Sequence, residues 1–188
     1  MKQLPYRLSV CGKDEVENYA DASVTHLLSL EDPHIAKTTP SWFRGIHVQL
    51  QFHDVESLAD ALAWGAVAPT RSDVAEILKF GKECLATSRR QPVHLLVHCQ
   101  VGASRSPAAG FALVAQAFGR GRSREALKQL LQLRPVAAPN VLIVRFADEL
   151  LGRRGELLRA LVPLRHDIAR YIERWTARSA RSPKRKRT

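Results

Sequence analysis

The chain has 188 residues, with 29 Lys and Arg against 18 Asp and Glu, and a formal net charge of +11. This length suffices for one domain with a full hydrophobic core and no crosslinks. Three widely spaced cysteines argue against a secreted disulfide scaffold and against a zinc site. The first residues lack the apolar run of a signal peptide, and no segment has the length and apolarity of a transmembrane helix. We therefore expect a reduced, cytoplasmic protein.

Apolar patterning over the first hundred residues predicts strands that alternate with helical segments. The predicted strands are 6–11, 24–30, 46–52 and 93–97. Between them the sequence predicts a helical turn at 13–20, a loop at 31–45 and a helix at 70–87 with a Ser72 cap. Only helices are predicted afterwards, at 106–118, 123–133, 140–151 and 156–178. This order predicts an α/β fold: a mostly parallel central sheet of four to five strands flanked by helices, with a C-terminal helical run.

Basic residues are concentrated at the C-terminus. The segment 174–188 holds seven Lys and Arg and no acidic residue. We predict a single domain over 1–178 and a basic, disordered tail over 179–188, because the tail has almost no apolar residues. Such a tail can bind acidic partners, or it can be a solvated extension with no partner. In a nucleated cell, 183–187 is typical of a nuclear localisation signal. No pattern indicates the oligomeric state.

One segment combines a nucleophile with an anion cradle: His-Cys-Gln-Val-Gly-Ala-Ser-Arg-Ser, residues 98–106. It follows an apolar predicted strand and precedes an alanine-rich predicted helix. The N–H groups of such a loop can point at one anion, and the helix N-terminus adds partial positive charge. Both effects favour a thiolate at Cys99, and Arg105 can donate two parallel hydrogen bonds to a phosphate. Ligands of parallel sheets bind at the carboxyl ends of strands, where Cys99 is predicted to lie. The alternative is a buried structural cysteine at a strand end.

These residues resemble the signature loop of the cysteine-dependent protein tyrosine phosphatase superfamily: His-Cys, five residues with a central glycine, then Arg-Ser. The resemblance implies a phosphatase-like fold and a phosphocysteine intermediate on Cys99, with Arg105 binding phosphate and stabilising the transition state. It implies that His98 holds the loop through a hydrogen bond to the cysteine backbone. It further implies that Ser106 donates a hydrogen bond to the sulfur. The implied phosphate-binding positions are Gln100, Val101, Gly102, Ala103, Ser104 and Arg105.

A second, weaker resemblance lies downstream. Arg134-Pro135, followed by Pro139-Asn140 before a helix, looks like the dual-specificity branch of that superfamily. Pro and Asn at these positions are also an ordinary helix start. Together the two resemblances cover roughly residues 24 to 151.

The departing alkoxide or phenoxide needs a proton, which a carboxylic acid typically provides. In the superfamily this acid is an Asp on a loop upstream of the cysteine. Asp54, which follows the predicted strand 46–52, is the candidate, with Asp73 and Asp60 as alternatives. Asp73 also fits a helix start. Asp54 lies forty-five residues before Cys99 and is not part of a Trp-Pro-Asp sequence, which departs from compact dual-specificity enzymes.

The five positions between Cys99 and Arg105 are uncharged. Lipid and inositol phosphatases of the superfamily tend to carry lysines there, so the expected substrate is a phosphorylated protein or another phosphate monoester. The protein is expected to be tyrosine-specific or dual-specificity. No cofactor or metal is expected, because the histidines have no ligand-like spacing. Two other functions are compatible with the segment: a catalytically silent phosphate-binding module, and a sulfurtransferase that forms a persulfide on Cys99.

Overall fold

The computed structural model describes residues 3–181, with side chains described up to residue 170. At its centre lies a four-stranded sheet with the strand order β1-β4-β2-β3, in which every neighbouring pair is parallel. The strands are β1 (Arg7–Gly12), β2 (His26–Glu31), β3 (Ile46–Gln51) and β4 (His94–Cys99). The predicted α/β fold with a parallel sheet is thus confirmed, at the lower of the two expected strand numbers.

Six α-helices and a short 3₁₀-helix are found in this part of the chain. The 3₁₀-helix, Lys13–Tyr19, takes the place of the predicted helical turn. The α-helices are α1 (Leu58–Trp64), α2 (Arg71–Thr87), α3 (Arg105–Phe118), α4 (Ser123–Leu133), α5 (Val141–Leu150) and α6 (Glu156–Arg181). The long helices agree with the predicted ones to within a few residues.

Two local features differ from the prediction. The cap of α2 is Thr70 rather than Ser72: the Thr70 hydroxyl accepts the Asp73 N–H, and the Asp73 carboxylate accepts the Thr70 N–H. This reciprocal pair is a capping box, which needs its two residues three positions apart. The helix α1 was not predicted, because only Ala61 of its seven residues is buried and so short an element shows no periodicity.

The two faces of the sheet are covered differently. Alternate residues of β4, Leu95, Val97 and Cys99, belong to the large core formed with α2 to α6. Leu96 belongs to a smaller core, which contains Val16 of the 3₁₀-helix and neighbours from the loop before β3. Because successive strand residues point to opposite faces, Cys99 lies on the helix side of the sheet and His98 on the other.

Small residues bring α3 close to the sheet. Ala108, Ala109 and Ala112 are fully buried. A Cβ on Gly110 would lie 3.0 Å from Val10 in β1, so a larger residue there would push the helix outward. The close packing places the N-terminus of α3 beside the carboxyl end of β4, with five residues between Cys99 and the helix.

The predicted basic tail, 179–188, falls mostly outside the described residues, which end at 181; α6 continues to Arg181. Within the described part of the chain, none of the helices has both the length and the apolarity needed to cross a bilayer.

Candidate active site

Cys99 is the last residue of β4, and the loop after it turns back over its sulfur. The Gly102 N–H donates a hydrogen bond to Sγ at 3.3 Å, and the Ser106 hydroxyl lies 3.2 Å from the same atom. The side chain is 2% exposed. The sulfur thus faces a backbone N–H, a hydroxyl and the N-terminus of α3.

Gly102 has a left-handed backbone conformation. Its φ is +76°, a region that side chains disfavour. A Cβ there would come within 2.4 Å of the Gly12 nitrogen and 2.6 Å of the Cys11 carbonyl carbon. Because both neighbours are backbone atoms, the loop cannot take this path with any residue other than glycine.

Ser106 is fully buried in the first turn of α3. Besides its contact with the sulfur, its hydroxyl donates a hydrogen bond to the Cys11 carbonyl oxygen at 3.1 Å. The structure therefore brings the Ser106 hydroxyl to the sulfur, and either atom can be the donor in this contact.

Arg105, the first residue of α3, is 4% exposed, and one nitrogen of its guanidinium holds it in place. Its Nη1 donates to Asp32 Oδ1 at 2.7 Å and to the Phe52 carbonyl oxygen at 2.7 Å. Its Nε is buried and has no hydrogen-bond partner among the described residues. The guanidinium is thus oriented by the protein, and its Nε remains a donor without a partner among the described residues. Asp32 was not identified from the sequence, because it lies in a predicted loop with no motif around it.

His98 contacts the neighbouring strand on the far face of the sheet. Its Nε2 lies 2.6 Å from the Ser29 hydroxyl, which lies 2.8 Å from Nε2 of His47. Burial, followed by the positive charges of His47 and Lys13, lowers the pKa of His98 to about 4. The ring is therefore neutral at neutral pH and fixes the end of β4 against β2. Its Nδ1 is buried and has no hydrogen-bond partner among the described residues, so the hydrogen bond to the cysteine backbone that the resemblance implied is not formed in this structure.

Asp54 lies at the rim of the loop. Its Oδ1 accepts hydrogen bonds from the Ser104 hydroxyl at 2.7 Å and from the Asn140 amide at 2.8 Å. The side chain is otherwise exposed to solvent. Asp73 and Asp60 are instead engaged in helix caps, with Thr70 and Ser57 respectively.

Asn140 joins three parts of the site, a role that the sequence did not indicate. It caps α5 by accepting the Ile143 N–H, which agrees with the predicted helix start. Its amide also donates to Asp54 and to the Val55 carbonyl oxygen, and its own N–H donates to the Ser104 carbonyl oxygen at 3.3 Å. One buried side chain thus ties the Asp54 segment to the loop.

The remaining loop positions are held through their backbone. The Gln100 carbonyl oxygen accepts the Lys13 N–H, and the Ala103 carbonyl oxygen accepts the Ala138 N–H. The Val101 side chain points outward and is 71% exposed. No group of three or more His, Cys, Asp or Glu side chains within the described residues is arranged to hold a metal ion.

No protein-family model matches the sequence, and no curated protein matches it. Solved structures do match the fold. DUSP15 is 20% identical with a TM-score of 0.58, covering 88% of this chain and 95% of its own. The human tyrosine phosphatase-like serine/threonine/tyrosine-interacting protein is 19% identical with a TM-score of 0.54, covering 74% and 84%. PTPMT1, solved in complex with PI(5)P, is 14% identical with a TM-score of 0.53, covering 78% and 90%. The chain has the fold of the cysteine-dependent phosphatases, which confirms the fold that the signature loop implied.

Proposed function

We propose that this protein is a cysteine-dependent phosphatase that hydrolyses phosphate monoesters, with phosphotyrosine or other phosphorylated side chains of proteins as substrates. One observation carries the proposal. The Cys99 sulfur accepts the Gly102 N–H inside a loop that leads directly into Arg105, whose buried Nε has no partner among the described residues. A nucleophilic sulfur and an unused cationic donor at one helix N-terminus suit attack on a bound phosphate.

The proposed reaction has two steps. In the first, the Cys99 thiolate forms a bond to phosphorus as the ester P–O bond breaks, and the leaving oxygen takes a proton from Asp54. In the second, water attacks phosphorus, Asp54 accepts a proton from that water, and the P–S bond breaks to return the thiolate. Arg105 and the loop N–H groups bind the non-bridging oxygens in both steps, which supplies positioning and charge stabilisation.

The geometry around Asp54 supports its role as the acid. Both of its hydrogen bonds end on Oδ1. Oδ2 accepts neither of these bonds, so in the proposed mechanism it is the oxygen available to give a proton to the leaving group. Since the donors come from the loop and from Asn140, the carboxyl group is kept beside the phosphate cradle rather than free in solvent.

The loop composition favours protein substrates. None of its five positions carries a charge to meet a second phosphate, and the exposed Val101 side chain offers an apolar contact beside the cradle. A phosphoinositide such as the PI(5)P found with PTPMT1 would gain no cation from these positions.

A catalytically silent phosphate reader is the second candidate, because one structural neighbour is described as phosphatase-like and interacting. A reader needs phosphate donors but neither a nucleophile nor an acid. The presence of Cys99, Ser106 and Asp54 around one loop therefore favours the enzyme.

The test is hydrolysis of p-nitrophenyl phosphate as a function of pH, in chelator and reductant, by the wild type and Cys99→Ser. Cys84→Ala is the matched control, because Cys84 is also a buried free cysteine but lies in α2, outside the loop. Hydrolysis that is lost only in Cys99→Ser supports the proposal. A folded wild type that binds phosphate without turnover indicates the reader, and persulfide formation on Cys99 indicates a sulfurtransferase.

A further inference from the structure

The outer side of the phosphate loop is held by Arg134, the residue that follows α4. Its Nε donates to the Gly102 carbonyl oxygen at 3.0 Å, and its Nη2 lies 3.4 Å from the Val101 carbonyl oxygen. Its Nη1 donates to Glu15 at 2.8 Å. All three guanidinium nitrogens are therefore used, two of them on consecutive carbonyls of the loop.

Glu15 completes this contact from the 3₁₀-helix after β1. One of its oxygens accepts Arg134, and the other accepts the Gly12 N–H at 2.6 Å. The hydrogen bond from Arg134, more than any other interaction, lowers the pKa of Glu15, so the carboxylate is charged at neutral pH. The pair thus links three elements that are distant in sequence.

The contact determines which way the loop amides point. In a planar trans peptide the C=O and the following N–H point in opposite directions. Arg134 holds the Val101 carbonyl outward, and the N–H of that same peptide, on Gly102, donates to the Cys99 sulfur. The next peptide joins Gly102 to Ala103, and its carbonyl oxygen also accepts a hydrogen bond from Arg134. Its N–H, on Ala103, therefore points to the same side of the loop as the Gly102 N–H.

We propose that Arg134 is a positioning residue for phosphate binding and that Glu15 is its counter-ion. Arg134 bonds the loop only through its carbonyl oxygens; it fixes one peptide whose N–H donates to the sulfur and the next peptide, whose N–H is turned to the same side. This inference rests on the proposed function of the loop. Lysine cannot replace Arg134, because its single nitrogen cannot donate to three separated acceptors as the planar guanidinium does.

The experiment measures kcat, KM and inhibition by inorganic phosphate for Arg134→Lys, Arg134→Gln and Glu15→Gln. Direct phosphate binding is measured in the same variants on a Cys99→Ser background. Arg122→Gln is the matched control: this arginine precedes the other end of α4 and pairs with Glu125 at 3.0 Å, away from the loop. All assays are run well below the thermal midpoint of each variant.

We expect both Arg134 variants to weaken phosphate binding at least roughly tenfold and to lower kcat about ten- to hundredfold, with Arg122→Gln unchanged. Glu15→Gln is expected to lower phosphate affinity and kcat by smaller factors. If the Arg134 variants do not fold, Glu15→Gln provides the test in their place. Wild-type phosphate affinity and kcat in folded variants overturn the inference while leaving the proposed function intact. A wild type that neither binds phosphate nor turns over overturns both.

Discussion

The Ser106 hydroxyl lies 3.2 Å from the Cys99 sulfur and also donates to the Cys11 carbonyl oxygen at 3.1 Å. A hydroxyl has one proton, so it cannot donate to both. When the sulfur is a neutral thiol, the S–H can donate to Ser106 while Ser106 donates to Cys11. When the sulfur is a thiolate, the Ser106 proton turns to the sulfur. The direction of the Ser106 hydrogen bond therefore depends on the charge of the sulfur, and in the proposed reaction this bond would stabilise the sulfur most when it leaves phosphorus.

Replacement of Ser106 by Ala should slow the second step of the reaction more than the first. Loss of one hydrogen bond to a charged group corresponds to a fall in kcat of roughly ten- to hundredfold. The phosphoenzyme should then accumulate, giving a burst of p-nitrophenol equal to the enzyme concentration in stopped-flow measurements. Ser123→Ala, at the start of α4 and bonded to Glu156, is the control and should show no burst. An unchanged kcat without a burst in Ser106→Ala would contradict this role.

Replacement of Asp54 by Asn should remove the proton donor while keeping an oxygen for Ser104 and Asn140. General acid catalysis contributes about 10²–10⁴-fold, so turnover of alkyl and phosphotyrosine substrates should fall by that factor. The loss should be smaller for aryl phosphates with good leaving groups, which need little protonation. Kinetics across a series of leaving-group pKa values give the measurement.

The control for Asp54 is Asp73→Asn. Asn at position 73 keeps an oxygen that can accept the Thr70 N–H but removes a negative charge from the first turn of α2, so the unfolding free energy should fall by about 0.3–1 kcal/mol and turnover should be unchanged. A wild-type rate in Asp54→Asn together with a reduced rate in Asp73→Asn would show that Asp73, not Asp54, is the general acid.

Replacement of Arg105 by Lys should abolish most activity although the charge is kept. Lysine cannot donate to Asp32 and the Phe52 carbonyl oxygen while also presenting a planar edge to phosphate. We expect kcat/KM to fall roughly 10²–10³-fold, the usual cost of losing a preorganised donor to developing charge. Arg165→Lys, in an exposed pair with Glu56, is the control. Full activity in a folded Arg105→Lys protein would exclude bidentate binding.

The sequence predicted the strands and the long helices because their apolar patterns have periods of two and 3.6 residues. It also predicted the placement of Asp54 at the end of β3, since strand ends meet at one edge of a parallel sheet. It did not reveal Asp32 or Glu15, and it marked Arg134 only as part of a motif, with no role for the side chain. Each of these acts through a partner at least seventy positions away or through backbone carbonyls. No local pattern reports such contacts, because they depend on which loops the finished sheet brings together.

The buried His98 should make folding stability depend on pH between about 6.5 and 4. Its pKa is about 4 in the folded protein, against 6.5 for an unperturbed histidine. In that interval the unfolded chain binds a proton that the folded protein does not, so the unfolding free energy decreases as the pH falls. The contribution is fully present above about 6.5 and is lost as the pH approaches 4, and its size is on the order of 3 kcal/mol.

Urea unfolding of the wild type and His98→Gln at several pH values between 7 and 4 tests this expectation. The variant should lose part of the pH dependence but not all of it, since burial also lowers the pKa values of His26, His47 and His94. His166→Gln, exposed on α6, should retain the wild-type dependence. If His98→Gln and the wild type instead lose stability in parallel over this range, the fold does not hold the His98 ring in its neutral form.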